Sequence, residues 1–323
     1  VNTSINITKL QIQEDLSGDF TFSRNSAATR VNAQGLVENV QILSSDLVSN
    51  GNFSQEGVQE VSNGSFSQEG SELVTNGSFA TDSDWSKGAG WSIGDGVANF
   101  IGSAYGDALS QSNVSTFGKD YTFDCDLTNG SFDVKIGSNS YVEYNGQPLY
   151  IAADNSGAPT QLLIRPRSSN ITITNISVKE VGQDWDLETG WSIGDDKIVS
   201  DGSGSIPNTD LIQGNVFTSG NAYKVTLEIK DYVSGNLQLQ NNTTNFPQSN
   251  GVHTIYSSTG GTSLILRSLS FIGSIANISV KEVGQNWTIQ SGTVNITDKA
   301  EFVGSGIMWQ DALNINKSYK VTY

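Results

Sequence analysis

The sequence is poor in the residue types that most often carry chemistry. It has one cysteine, one histidine, one methionine and five prolines in 323 residues. A single cysteine excludes an internal disulfide and any cysteine-based metal site. His253, the only histidine, leaves no multi-histidine zinc site and only one base for a triad. Positive charge is also short: 17 Lys and Arg against 33 Asp and Glu give a net charge of −16. Such a chain lacks the clustered cations that neutralise phosphates, so no nucleic-acid partner is expected. No stretch approaches the roughly 18 to 20 apolar residues of a membrane helix, and no membrane insertion is expected. No signal-peptide pattern opens the chain. It starts at Val1 without a methionine, which reads as a processed or incomplete N-terminus. Charged residues make up 15%, too few for a disordered acidic tail, and 6 Trp, 10 Tyr and 13 Phe can close modest cores.

What the chain does have is repetition. Asp84-Trp85 and the run from Gly90-Trp91 to Asp95 return one hundred residues later as Asp184-Trp185 and the run from Gly190-Trp191 to Asp195. The closing run from Asn175-Ile176-Ser177-Val178 to Gln183 returns as the run from Asn277-Ile278-Ser279-Val280 to Gln285, offset by 102. A third unit opens at Asn286-Trp287 and stops at Tyr323 after 38 residues, too few to bury a core alone. The expectation is that the polypeptide continues past Tyr323; the alternative is that this segment completes its sheet against another module or chain. A shorter repeat of 13 residues covers 46–57 and 59–70, and a third copy at 72–79 leads into the first long unit. Each copy reads as a short strand, an Asn-Gly turn and a buried Phe. The copies are either duplicated remnants in a linker or strands that pair between chains.

Alternation sets the fold class. Residues 121–127, 223–229 and 319–323 place apolar side chains at every second position, one buried face and one wet face. Asn-Gly pairs at Asn50, Asn63, Asn76, Asn129, Asn145 and Asn250 supply hairpin turns with positive φ. No amphipathic helical stretch is present. The expectation is all-β, as tandem antiparallel β-sandwich domains. Cys125 lies on the apolar side of its strand and reads as a small core residue. His253 reads as a surface residue beside a turn. Asn-x-Ser/Thr triplets at Asn6, Asn63, Asn76, Asn129, Asn170 and Asn277 follow from composition and carry no localisation signal.

Two stretches resemble known families. Residues 20–38 carry Phe22, Arg24, Ser26, Ala28-Thr29-Arg30-Val31-Asn32, Gly35-Leu36 and Glu38. This resembles a segment of about twenty residues that recurs near the N-terminus of tailed-phage fibre and virion appendage proteins. Read physically, it is a hairpin around an Asn32-Ala33-Gln34-Gly35 turn, carrying Arg24 and Arg30. Residues 72–79, with Asp84-Trp85 and Trp91, resemble the opening of jelly-roll modules of the carbohydrate-binding kind, at the level of architecture over residues 72–285. That resemblance implies a structural calcium, for which Asp82, Asp84 and Asp95 are the candidate ligands. The family's acidic residue after the Phe is replaced by Ala80, and two or three carboxylates fall short of the six to eight oxygens calcium takes.

Sugar-binding modules stack an exposed ring on a pyranose and flank it with amides or carboxylates. Candidate platforms are Trp91, Trp191, Tyr141 and Tyr144, with Trp85 and Trp185 behind them. The Trp residues recur at one register in both units, which fits core or junction packing, since Trp buries a large area. Tyr141 and Tyr144 have no counterparts in the second unit and so fit a ligand better. Glycosidase chemistry needs two carboxylates across a bond. The nearest pair, Asp124 and Asp126, is on a solvent face and becomes Thr226 and Glu228 in the second unit, so no catalytic residue and no enzyme activity is expected.

The expected organisation is an anchoring or hairpin segment 1–45, short strand repeats as a linker 46–71, β-sandwich modules 72–183 and 184–285, and an incomplete third module 286–323. The resemblances imply a non-enzymatic tail fibre, head fibre or surface decoration of a tailed phage at the virion surface. Its expected partners are its own copies as a trimer, other virion proteins and host-surface polysaccharide. A bacterial secreted or surface carbohydrate-binding accessory protein is the alternative, and a tailspike depolymerase fragment the second.

Overall fold

The structure, a computed structural model, describes residues 5–7, 9–14, 29–31, 33–39, 43–151, 160–203, 209–258, 261–297, 299–315 and 317–323. The described residues contain strands and turns, with no helix, and every strand pair is antiparallel. Among the described residues no helix is long and apolar enough to cross a membrane.

In the first module two sheets face one core. One runs Leu149–Ile151, Asp120–Asn129, Asn170–Val181, Val97–Ile101, Trp91–Gly94, with Glu69–Glu72 beside Asn170–Val181. The other runs Val142–Tyr144, Phe132–Ile136, Leu162–Pro166, Leu109–Gln111, Ser86–Lys87. Period-two patterning explains the packing. Phe100, Phe123, Ile171 and Val178 from one layer meet Leu109, Phe132, Val134 and Ile164 from the other in a single buried cluster. Cys125 is part of that cluster, and burial pushes its thiol up to about 12. In the second module, strands that are separate in the first run on as Ala222–Leu239 and Leu264–Val283. They bend where Asp231, Gly235 and Ser270 take positive φ. Its own core gathers around Trp185, Tyr223, Leu227, Leu266 and Phe271. His253 lies on strand Gly251–Ser258, with Nε2 2.7 Å from the Ser249 carbonyl.

The 13-residue repeats are not a linker. Each docks on a module, in reverse order along the chain, and strands Glu69–Glu72 and Glu56–Gln59 pair with the first and the second module. The copy nearest the first module closes it: Glu72 pairs with Lys179, Ile176 N–H donates to Gly77 O at 3.0 Å, and Trp85 Nε1 donates to Asn76 O at 3.1 Å. The middle copy passes over the first module to the second: Gln59 pairs with Lys281, Ile278 N–H donates to Gly64 O at 2.8 Å, and Trp185 Nε1 donates to Asn63 O at 3.2 Å. The first copy reaches the third unit, where Trp287 Nε1 donates to Asn50 O at 3.2 Å. Phe79, Phe66 and Phe53 lie in the three corresponding cores, each tilted against its latching Trp at 5.3, 5.3 and 5.7 Å. A glutamine secures each copy by bonding both backbone groups of one residue: Gln111 to Thr75, Gln213 to Ser62, Gln310 to Ser49.

The Asn-Gly pairs in these copies work differently from hairpin turns. Asn50, Asn63 and Asn76 take the positive φ themselves. The glycine is needed for close approach, because a Cβ on Gly64 or Gly77 would strike the carbonyl oxygen of Ile278 or Ile176.

The third unit does not stand on its 38 residues. Leu10 N–H donates to Gly51 O at 2.8 Å, as Ile176 does to Gly77, and Gln11–Glu14 pairs with Tyr319–Thr322 as Asn170–Val181 pairs with Asp120–Asn129. Ile5–Ile7 joins Ala300–Trp309 and Thr288–Ile296 in a three-stranded sheet. The start of the chain thus holds the place that a closing strand holds in the other two modules. Tyr319 repeats their corner, its hydroxyl accepting from Asn314 N–H at 2.7 Å as Tyr121 accepts from Thr116 and Tyr223 from Thr218. Thr29–Val31 pairs with Val37–Asn39 as the expected hairpin, with Gly35 at φ 78°. Phe20 to Ala28 and Asn32 of the phage-like segment lie outside the described residues.

Candidate functional site

The outward face of the five-stranded sheet in the first module gathers three cations and two solvent-reaching rings. On Phe132–Ile136 the apolar residues point inward, which turns Asp133 and Lys135 outward. On Leu162–Pro166 the same alternation turns Arg165 outward. Register then lines up Glu143, Asp133 and Arg165 across three neighbouring strands. Arg165 Nη2 donates to Asp133 Oδ2 at 2.5 Å, and Arg167 Nη1 donates to Oδ1 at 2.9 Å. The far side of Arg167 lies 3.2 Å from Glu143. Burial pushes the Asp133 carboxyl up, but the two guanidiniums outweigh that and hold it below the usual carboxylate range.

Two tyrosines bracket the Arg165 guanidinium. Its central carbon lies 3.9 Å from the Tyr141 ring centroid and 5.3 Å from that of Tyr105. Arg167 lies 6.0 Å from Tyr105, and Lys135 Nζ 5.5 Å from Tyr141. Tyr105 is 59% exposed on the loop between Val97–Ile101 and Leu109–Gln111, pinned where its N–H donates to Pro166 O at 2.7 Å. The Arg165 Nε is buried and has no hydrogen-bond partner among the described residues. The face therefore offers rings and N–H donors. Both oxygens of Asp133 are engaged, so it cannot serve as an acid or a base.

The second module does not repeat this face. Arg267 stands where Arg165 does, but it is taken up by Asp210 on the neighbouring strand at 2.7 and 2.8 Å. Gln238 pairs with Arg267 where Asp133 pairs with Arg165, and Asn245 stands in the place of Glu143. The row is charged in one module and amide in the other.

Of the residues singled out from sequence, only Tyr141 belongs to this face. Tyr144 is buried, stacked on Phe132 at 5.1 Å, with its hydroxyl donating to Asp124 Oδ1 at 2.6 Å and Cys125 O at 2.7 Å. Burial and the Asp124 carboxylate push its phenol up. Trp91 and Trp191 are 7% and 5% exposed and pack on Phe100 and Phe271, so neither can receive a sugar. Trp85 and Trp185 are the latches described above. Asp124 and Asp126 are exposed, and Asp126 accepts from Asn175. The expected calcium ligands do not converge. Asp82 pairs with Lys87, Asp84 accepts from Ser83 Oγ at 2.6 Å, and Asp95 occupies a turn at φ 54°. Among the described residues no three acidic, His or Cys side chains are grouped to hold a metal. Tyr105, Asp133, Arg165 and Arg167 were missed. Their signal was the Arg165-Pro166-Arg167 pair of cations in a chain short of them, at the end of an alternating strand.

No protein-family profile and no curated protein sequence matches the chain. Among solved structures it is similar to the N-terminal CBM22-1-CBM22-2 tandem domain of Xyn10C from Paenibacillus barcinonensis, at 11% identity and a TM-score of 0.26, over 67% of this chain and 99% of that one. HutD from Pseudomonas fluorescens SBW25 is similar at 8% identity and a TM-score of 0.18, over 58% of this chain and 77% of that one. The chain's own strands and cores make it an all-β protein of β-sandwich domains in tandem.

Proposed function

We propose that this chain is a non-enzymatic adhesive protein that binds glycans through the Tyr105–Arg165–Tyr141 face of its first module. The observation that carries this reading is two tyrosines held beside a guanidinium that is itself fixed by a covered carboxylate. Rings held this way lose little freedom on binding, and freedom lost on binding weakens affinity. Residues 20–38 support a place on a tailed-phage particle, as a tail or head fibre or a surface decoration. Modules closed in succession by strands from one end extend reach with one repeated fold. Copies assembled as a trimer would multiply a weak affinity by about 10² or more.

A glycan array with the full chain and with Tyr141→Ala tests the binding reading. Bound glycans that the variant fails to retain support it, and an unchanged pattern removes this face from the account. Mass spectrometry of purified particles tests the location, which an absent chain would refute. One observation favours a bacterial secreted or surface accessory protein instead: the face lies within a single module and needs no second copy. Full affinity in a strictly monomeric chain that no particle carries would decide for that reading.

A further inference from the structure

We infer that the ligand of this face is an acidic glycan, one bearing carboxylate groups such as uronic or sialic acid. The inference rests on the glycan-binding reading and names the substrate class. A neutral sugar presents hydroxyls that both give and take hydrogen bonds, so its sites mix donors with acceptors. Here the rim is almost all donor. Lys135, Arg165 and Arg167 can only donate, and the carboxylate nearest them, Asp133, is covered and used up by the two guanidiniums.

Among the described residues of the face, Glu143 is the exposed carboxylate. Its pairing with Arg167 at 3.2 Å is of the exposed kind that water and salt weaken. A ligand carboxylate can take its place on Arg167. Lys135 Nζ has no carboxylate within 4 Å among the described residues and lies over the Tyr141 ring, free to meet a second anion along a polymer. Three cations against two carboxylates leave this face positive on a chain of net charge −16. At physiological salt the screening length is about 8 Å, so the local face outweighs the distant negative charge. The amides of Gln238 and Asn245 show that this sheet position needs no charge to fold.

The test uses hyaluronate, polygalacturonate and polysialate, each beside its carboxyl-reduced form, titrated calorimetrically against the full chain. The expected result is at least one acidic polymer bound tenfold or more tighter than its reduced form, with affinity falling as salt rises. Lys135→Gln and Arg167→Gln bring that ratio toward one, and Glu143→Gln raises it. Equal binding of an acidic polymer and its reduced form overturns the inference and leaves the glycan reading standing. Binding only to neutral glycans on the array does the same. No binding to any glycan in either assay overturns both. Unfolding midpoints of the variants confirm that lost binding is not lost fold.

Discussion

Phe66→Ala distinguishes a strand donated across the chain from a linker. Phe66 is 3% exposed in the second module's core and lies 5.3 Å from Trp185. Truncating a buried Phe costs about 3–5 kcal/mol, the transfer term plus the cavity left behind. Amide exchange in a locally opening unit should therefore speed up by roughly two to three and a half orders of magnitude, since each 1.4 kcal/mol is tenfold. The expected site of that change is the second module, in Lys197–Asp201 and Leu264–Val283, more than a hundred residues from the substitution. Asn170–Val181 of the first module should keep its protection, although Phe66 precedes that module directly in the chain. Exchange read by mass spectrometry of peptides resolves the two. Loss confined to the first module, or no loss anywhere, would refute the reversed order of closure.

Three further outcomes follow from the same geometry. Cys125 should resist alkylation at pH 8 in the folded protein and react fully in denaturant, because burial holds its thiol near 12; labelling of the folded chain at the denatured rate would put it on the surface. Tyr144→Phe strands the buried Cys125 carbonyl, while the exposed Asp124 carboxylate turns to water, and should cost about 1–3 kcal/mol in urea unfolding at constant slope; an unchanged midpoint would mean the hydroxyl is solvated. The Asp133 carboxyl is held below its ordinary 3.8, so its stabilisation is complete above that value and is lost as pH falls through the lowered one. Wild type should lose stability relative to Asp133→Asn only below about pH 4, and a gap that persists unchanged to pH 2 would contradict the pairing.

Much of the fold was legible because period-two alternation and the hundred-residue repeat are local signals. The strands that begin near Tyr121 and Tyr223 could be read from one stretch of chain at a time. What could not be read that way is which strands meet. The three latching Trp bonds span 9, 122 and 237 residues, and nothing in a 13-residue copy states which module it serves. The match of Ile5, Ile7, Leu10 and Ile12 to Ile171, Ile173, Ile176 and Val178 was in the sequence. It passed unnoticed because only apolar spacing, with little residue identity, carries it. The site was harder still. Tyr141 and Tyr144 look alike in sequence, but they stand three residues apart, an odd spacing that puts one on the face and the other in the core once Val142–Tyr144 is a strand. The paired Trp residues illustrate the reverse: recurrence at one register marked packing, and burial of all four agrees with it.

Zero-length carbodiimide coupling reads the order of closure most directly, because the donated strands carry acids set against lysines of their own modules. Glu56 lies 2.6 Å from Lys224 and 3.2 Å from Lys281 of the second module, and Glu69 lies 2.7 Å from Lys179 of the first. Peptide mass spectrometry of the coupled monomer should find Glu56 joined to Lys224 or Lys281 and Glu69 joined to Lys179. Glu56 joined to Lys179, or neither acid joined to any of these lysines, would contradict the account.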